Sequence, residues 1–424
     1  MSLFSRSRLE TKAAKKELEK LYGAQNAPRQ LVRYQALSNR FIERFGAGEF
    51  SFFSAPGRTE IVGNHTDHNH GLVLAGSVQK DILCAARRTD DSVVTLVSDG
   101  YADEFRVDLS RLEADPRERG TTAALIRGIA RRFSDLGCPV GGLNAYVVSN
   151  VPRGSGLSSS AAVEILLCTV FSHFYRGAAP DPVEAAKISQ WAENEYFGKP
   201  CGLMDQLACA GGGMVLLDLK DPAQPAVTPL WFDFQKSGYV PVLTDVHADH
   251  ADLTEEYASI TREMHEVAAY FGKETLREVE PKTFFCSVGE LYGTVSDRAI
   301  LRAMHFYGEN ARVVSAGQAL QKGDVQAFLQ AVNESGSSSW QLLQNLYRTG
   351  SSAQAAAVAL AVSRHVLAGD GACRIHGGGF GGTVLAFVPV GLKNAYINQM
   401  NRIFGDGAAE ELEIRQSPAM KLEL

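Results

Sequence analysis

Residues 148–164 read VSNVPRGSGLSSSAAVE. An apolar strand over 143–149 (LNAYVVS) runs into Pro152; Gly154 and Gly156 follow, then Ser158, Ser159 and Ser160, then an apolar helix expected over about 159–175. Glycines let a backbone take positive φ and approach a ligand closely. The serines fall where the first-turn amides of the helix lack partners. Free amides at the positive end of a helix dipole make an anion site. Three hydroxyls can add phosphate or Mg²⁺ contacts. No lysine follows the glycines, so the GxxxxGK[ST] phosphate loop is absent. A Gly-Ser turn with a serine N-cap is the simpler alternative, but three serines exceed what capping needs.

Three other segments carry chemistry. Residues 55–71, APGRTEIVGNHTDHNHG, gather Arg58, His65, Asp67 and His68 between Gly57, Gly63 and Gly71. Arg58 can hold a phosphate or carboxylate in a fork. His65, His68 and His70 invite a metal reading, as do His247 and His250, but strand alternation sets 65 and 68 on opposite faces, a poor start for a tetrahedral site. Residues 193–206, ENEYFGKPCGLMDQ, place Asp205 in an apolar stretch, where a carboxylate needs a partner or a task; an Asp at a helix N-terminus is the alternative. Residues 375–383, IHGGGFGGT, hold five glycines around Phe380, which implies a close backbone approach to a ligand or another loop.

The rest of the chain sets bounds. It has 424 residues, 48 acidic against 42 basic, a net charge of −6, which excludes a general nucleic-acid binder. Seven cysteines, an odd number with no CxxC, point to free thiols in a reducing compartment. No apolar run reaches the roughly 18 residues of a membrane span, and the charged N-terminus lacks a secretory apolar core, so a cytoplasmic location is expected. Helices and strands are interspersed without strict βαβ alternation, which implies an α+β fold with largely antiparallel sheets. The Pro-rich polar stretch 220–238 reads as a lobe boundary. The expected division is a helical extension at 1–28, an N-terminal lobe at 29–225 and a C-terminal lobe at 226–424.

In order, PGRTEIVGNHTDHNHG, PRGSGLSSSAA and HGGGFGG resemble the three motifs of galactokinases, members of the GHMP small-molecule kinase superfamily. The middle motif is common to GHMP kinases, whereas the first, with its GRxxxxGxHTD core, is far more specific. PCGLMDQ at 200–206 and LRAMHFYGENARV at 301–313 are also similar to galactokinases, so the likeness covers about residues 30–388. It implies a two-lobed fold with the active site in the interlobe cleft, where a sugar and ATP meet. It implies Asp205 as catalytic base with Arg58 beside it and the transferring phosphoryl group. His65, Asp67 and Tyr257 match sugar-pocket residues, with Gly202 beside them. Pro152, Gly154, Ser155, Gly156, Leu157, Ser158, Ser159 and Ser160 match the triphosphate loop, with Gly378 and Gly379 alongside. Glu193 and Ser160 match a Mg²⁺ site. The expected reaction is ATP-dependent phosphorylation of galactose at its anomeric hydroxyl, by a monomer.

Two positions depart from the family pattern. Asn64 stands where the family has a Glu that meets the sugar's hydroxymethyl group. A neutral Asn there would tolerate a carboxylate or a missing carbon, so a kinase for galacturonate or arabinose is the alternative. Thr122 and Leu125 stand where aromatic residues often flank adenine. A sensor that binds sugar and nucleotide without transfer is a third reading, which the intact GLSSSAA loop disfavours.

Overall fold

Apolar residues recur at helical spacing near the N-terminus, and the chain there forms α1 (Lys12–Tyr22) and α2 (Ala27–Phe45), burying Tyr34, Leu37 and Phe41. The computed structural model describes residues 9–152, 156–247, 253–380 and 382–424. Two long antiparallel strands follow, β1 (Ser51–Val62) and β2 (Leu72–Arg88). The apolar pattern alone ends the first strand at 54, but β1 continues through Pro56, Arg58 and Glu60. Register shifts at Pro56/Arg58 and Glu60/Val62 absorb the proline and turn polar side chains inward.

Next come β3 (Val93–Ser98), β4 (Phe105–Asp108), α3 (Thr122–Asp135), β5 (Leu143–Ser149), α4 (Ser159–Phe171), α5 (Pro182–Ala192), α6 (Met204–Gly211), β6 (Met214–Asp218) and β7 (Ala226–Leu230). The second half supplies β8 (Tyr239–Asp245), α7 (Thr254–Tyr270), α8 (Asp297–Lys322), α9 (Val325–Ser338), α10 (Ala355–Leu367), β9 (Ala372–His376), β10 (Thr383–Pro389), α11 (Lys393–Phe404), β11 (Ala409–Glu411) and β12 (Met420–Leu422).

The first sheet runs β12-β1-β2-β5-β3-β4, with β6 and β7 continuing from β2; the second runs β11-β8-β10-β9. Among these strands only the β3–β5 pairing is parallel. The fold is therefore α+β with mostly antiparallel sheets. α4 lies under the first sheet and buries Leu166, Leu167 and Phe171, each contributing about 1.5–3 kcal/mol. β7 falls in the stretch read as a lobe boundary, pairing with β6, and β12 returns from the C-terminus to pair with β1. Among the described residues no helix is long and apolar enough to cross a membrane.

Candidate active site

Three chain segments meet at Arg58. Its side chain, 6% exposed, projects from β1 and donates from Nε and Nη2 to Asp205 Oδ1, both at 2.7 Å. Its Nη1 donates to the Gly156 carbonyl, and Ser158 Oγ donates to Asp205 Oδ2. Asp205, in the first turn of α6, thus ties the phosphate loop to β1. Burial pushes its carboxyl up, but Arg58 and Ser158 more than offset this and hold it below its ordinary value. It is an anion and a weak base. Ser158 precedes α4 in the left-handed region, φ +54. Such backbone strain in a non-glycine residue tends to mark functional sites.

The phosphate loop is held from behind as well. Arg58 N–H donates to the Leu157 carbonyl at 3.1 Å, and Leu157 is fully buried. Gly156 has φ +71, and a Cβ there would lie 2.9 Å from His376 Nδ1. Pro152, Ser159 and Ser160 flank the helix start, Ser160 being exposed. Gly154 and Ser155 lie outside the described residues, as do Gly381 and His250.

The loop 63–71 between β1 and β2 forms the second wall. Glu309 of α8 accepts from the Gly63 and Asn64 amides (2.9 and 3.3 Å), and also from Ser335 and Arg312. Burial pushes its carboxyl up, but His305, Arg312 and Arg374 nearby, with the Ser335 hydrogen bond, hold it down at about 2. His65, at φ +56, meets the Gly378 carbonyl through Nε2 at 2.9 Å, which leaves Nδ1 as an acceptor in the neutral ring. Burial drives its basicity down to about 3. Its ring stacks on Tyr257 at 6.4 Å, and Phe380, also at positive φ, meets Tyr257 edge-on. Asp67 lies against Gly202 so closely that a Cβ there would be 2.0 Å from Oδ2.

Asn64 departs from expectation. It is fully buried, donates to both oxygens of Glu60 (3.2 Å each) and to the Gly377 carbonyl (2.7 Å), and accepts from Ser339 and Asn345. Every hydrogen-bonding position of its amide is taken by protein. Position 64 ties the loop to the second half of the chain. A Cβ on Gly378 would sit 2.4 Å from Tyr257 Cε1, one on Gly379 2.2 Å from the Asn345 carbonyl, and their own carbonyls accept from His65 and Tyr257. They back His65 and Tyr257, while Gly377 is the glycine beside Gly156.

Glu193, 3% exposed, lies on a π-helical turn that extends α5, a distortion frequent at functional sites. Gln206 Nε2 donates to it at 2.9 Å and to Glu164 at 3.2 Å. Glu164 Oε1 and Gln206 Oε1 are buried without partners. Beside α4, a narrow apolar slot of about 40 Å³ is lined by Tyr101, Phe105, Thr122, Val163 and Leu166 among others. Thr122 lines it; Leu125 is buried in the core. Sequence reasoning missed Glu60, Glu309, Asn345, Arg374 and His376. Glu60, Glu309 and His376 lie inside the quoted segments 55–71, 301–313 and 375–383, whereas Asn345 and Arg374 left no signal.

Comparison with known proteins matches residues 124–213 to the GHMP kinases N terminal domain and residues 39–88 to the galactokinase galactose-binding signature. Solved structures share the fold. A Lactococcus lactis galactokinase complexed with galactose superposes at TM-score 0.78 with 23% identity, covering 92% of this chain and 99% of that one. A D-glycero-D-manno-heptose 1-phosphate kinase from Bacteriodes thetaiotaomicron gives 0.59 at 16% (88% and 99%), and Methanococcus jannaschii mevalonate kinase 0.61 at 13% (87% and 99%). The fold is that of GHMP kinases, a class that uses ATP as co-substrate, and residues 39–88 match the galactose-binding signature of galactokinases.

Proposed function

We propose that this chain is an ATP-dependent sugar-1-kinase that converts galactose to galactose 1-phosphate and ADP. The observation that carries this is the Arg58–Asp205–Ser158 knot, which joins the phosphate loop to the sugar side. The anomeric oxygen attacks the γ-phosphorus in line, the new O–P bond forms, and the bond to the β-phosphate oxygen breaks, ADP leaving with the electron pair. Asp205 orients the hydroxyl and receives its proton late, as suits a carboxylate held below its ordinary basicity. A loose phosphoryl-transfer transition state demands little early deprotonation. Arg58 keeps Asp205 ionised and offsets charge on the transferring oxygens.

His65, Asp67 and Tyr257 hold the sugar, and Gly202 gives Asp67 its room. The start of α4 with Gly156, Ser158 and Ser159 receives the triphosphate. Glu193 and Ser160 supply hard oxygen donors, and the orphaned Glu164 and Gln206 oxygens nearby fit a Mg²⁺ environment. Bound there, Mg²⁺ would neutralise phosphate charge. The seven free thiols fit a cytoplasmic, monomeric enzyme. A coupled ADP-release assay over galactose, galacturonate and arabinose tests the reading. Galactose should give the highest kcat/KM, and turnover confined to another sugar overturns galactose.

A further inference from the structure

Lys199 belongs to none of the three motifs, yet it stands at their meeting point. Its backbone is fixed. The Gly198 and Lys199 amides donate to the Glu193 carbonyl at 2.9 and 3.2 Å, the Cys201 amide donates to Asn194 at 2.8 Å, and the Phe197 carbonyl accepts from Gly120 at 3.0 Å. The side chain is not fixed in this way. It is 63% exposed, and Nζ reaches Glu193 Oε1 at 3.4 Å, while the carboxylate it meets is 4% exposed. Glu193 Oε2 is already held by Gln206. So a buried carboxylate turns one oxygen toward the mouth of the site, and a solvent-reaching ammonium covers it. The ammonium is solvated, so it moves cheaply provided that another cation takes its place on the buried carboxylate.

Its neighbourhood says where it goes. Gln206, which holds Glu193, follows Asp205 directly on α6. Gln206 also donates to Glu164 of α4. Through Glu193 and Gln206, Lys199 thus stands beside the gap between α4 and Asp205, where a γ-phosphoryl group has to pass. We propose that Lys199 is a phosphoryl-binding residue that leaves Glu193 for the γ-phosphate of the bound nucleotide when Glu193 turns to its metal; the proposal rests on the kinase reading above. With Arg58 on one side of the phosphoryl group, Lys199 supplies a second cation on the other. An ammonium suits the task, since it is a compact charge on a flexible stem.

The contact is to the γ-phosphate, so it distinguishes ATP from ADP. The test is calorimetric binding of ATP and ADP to wild type, Lys199→Met and Lys199→Arg, in EDTA and in Mg²⁺. Wild type should prefer ATP in Mg²⁺ and lose most of that preference in EDTA, where Glu193 keeps Lys199. Lys199→Met should weaken ATP binding in Mg²⁺ about ten- to a hundredfold, the worth of one bond to a charged group, with ADP unchanged. Lys199→Arg should restore part of the preference. In turnover, Lys199→Met should lower kcat and leave the KM for sugar unchanged. If Lys199→Met weakens ATP and ADP equally, or neither, this inference falls and the kinase reading stands. If wild type binds neither nucleotide, both fall.

Discussion

Asp205 has one oxygen in the Arg58 fork and the other on Ser158, so its charge is balanced by neighbours that also face the phosphate loop. Asp205→Asn should abolish turnover while galactose and ATP still bind, measured by single-turnover phosphorylation beside calorimetry; near-normal turnover would remove Asp205 from the chemistry. Arg58→Ala removes a donor to the developing charge and should cost ~10²–10³ in kcat. Asn64 calls for the opposite expectation from the one its position in the motif suggests. Asn64→Glu would face carboxylate against Glu60 and against the Gly377 carbonyl, leaving buried acceptors without donors at a cost of about 1–3 kcal/mol each. The expected result is a lower Tm and weaker sugar binding, with the ranking of galactose, galacturonate and arabinose unchanged; a shift toward galactose would show that position 64 does meet the sugar. Arg58, His65, Asp67 and Asp205 were legible in the sequence because polar residues among glycines and apolar neighbours need an account. Glu60, Glu309 and Arg374 were not, since a buried charge announces itself only when its partner hundreds of residues away is known.

At the scale of elements, the site is made by loops whose glycines are set by what touches them. Gly202 is the sharpest case, because a methyl group there would overlap the Asp67 carboxylate. Gly202→Ala should displace Asp67 and raise the KM for sugar at least tenfold, with ATP affinity kept, as steady-state kinetics against titration would read; equal loss for both substrates would point to general misfolding. Elements with a clear apolar run, such as β5 and α4, were legible. β7 and β12 were not. Ala226–Leu230 is half proline-bounded and mostly exposed, so it reads as linker, and only its pairing with β6 makes it a strand. Met420–Leu422 is too short to show a period and owes its place to the edge of β1. The 55–62 run hid its strand character because Pro56 and Arg58 break the alternation at a register shift.

Across the whole molecule, the two sheets are joined by polar bonds. Arg374 of β9 donates to the Ile61 carbonyl and pairs with Glu60 of β1, and His376 bridges Thr59 of β1 and Thr383 of β10, each at 3.0 Å. His376 is buried, and that burial, with Arg58 and Arg374 nearby, holds its imidazolium well below the ordinary value near 6.5. It is neutral in the fold and takes up a proton once unfolded. Below pH 6.5 the unfolded chain therefore binds more protons at this residue, and stability falls as pH falls, by up to ~1.4 kcal/mol per pH unit. His65 and His305, also lowered chiefly by burial, act in the same sense. Glu60 and Glu164, raised by burial, oppose them at pH above the ordinary Glu value near 4.5. The contribution of one bridge is best read as a difference. His376→Gln retains hydrogen-bonding capacity across the sheets but cannot titrate, so its urea midpoint should fall less steeply than that of wild type between pH 6.5 and 5. Parallel profiles would mean that His376 takes up its proton at the same pH folded and unfolded, so that burial does not hold it neutral.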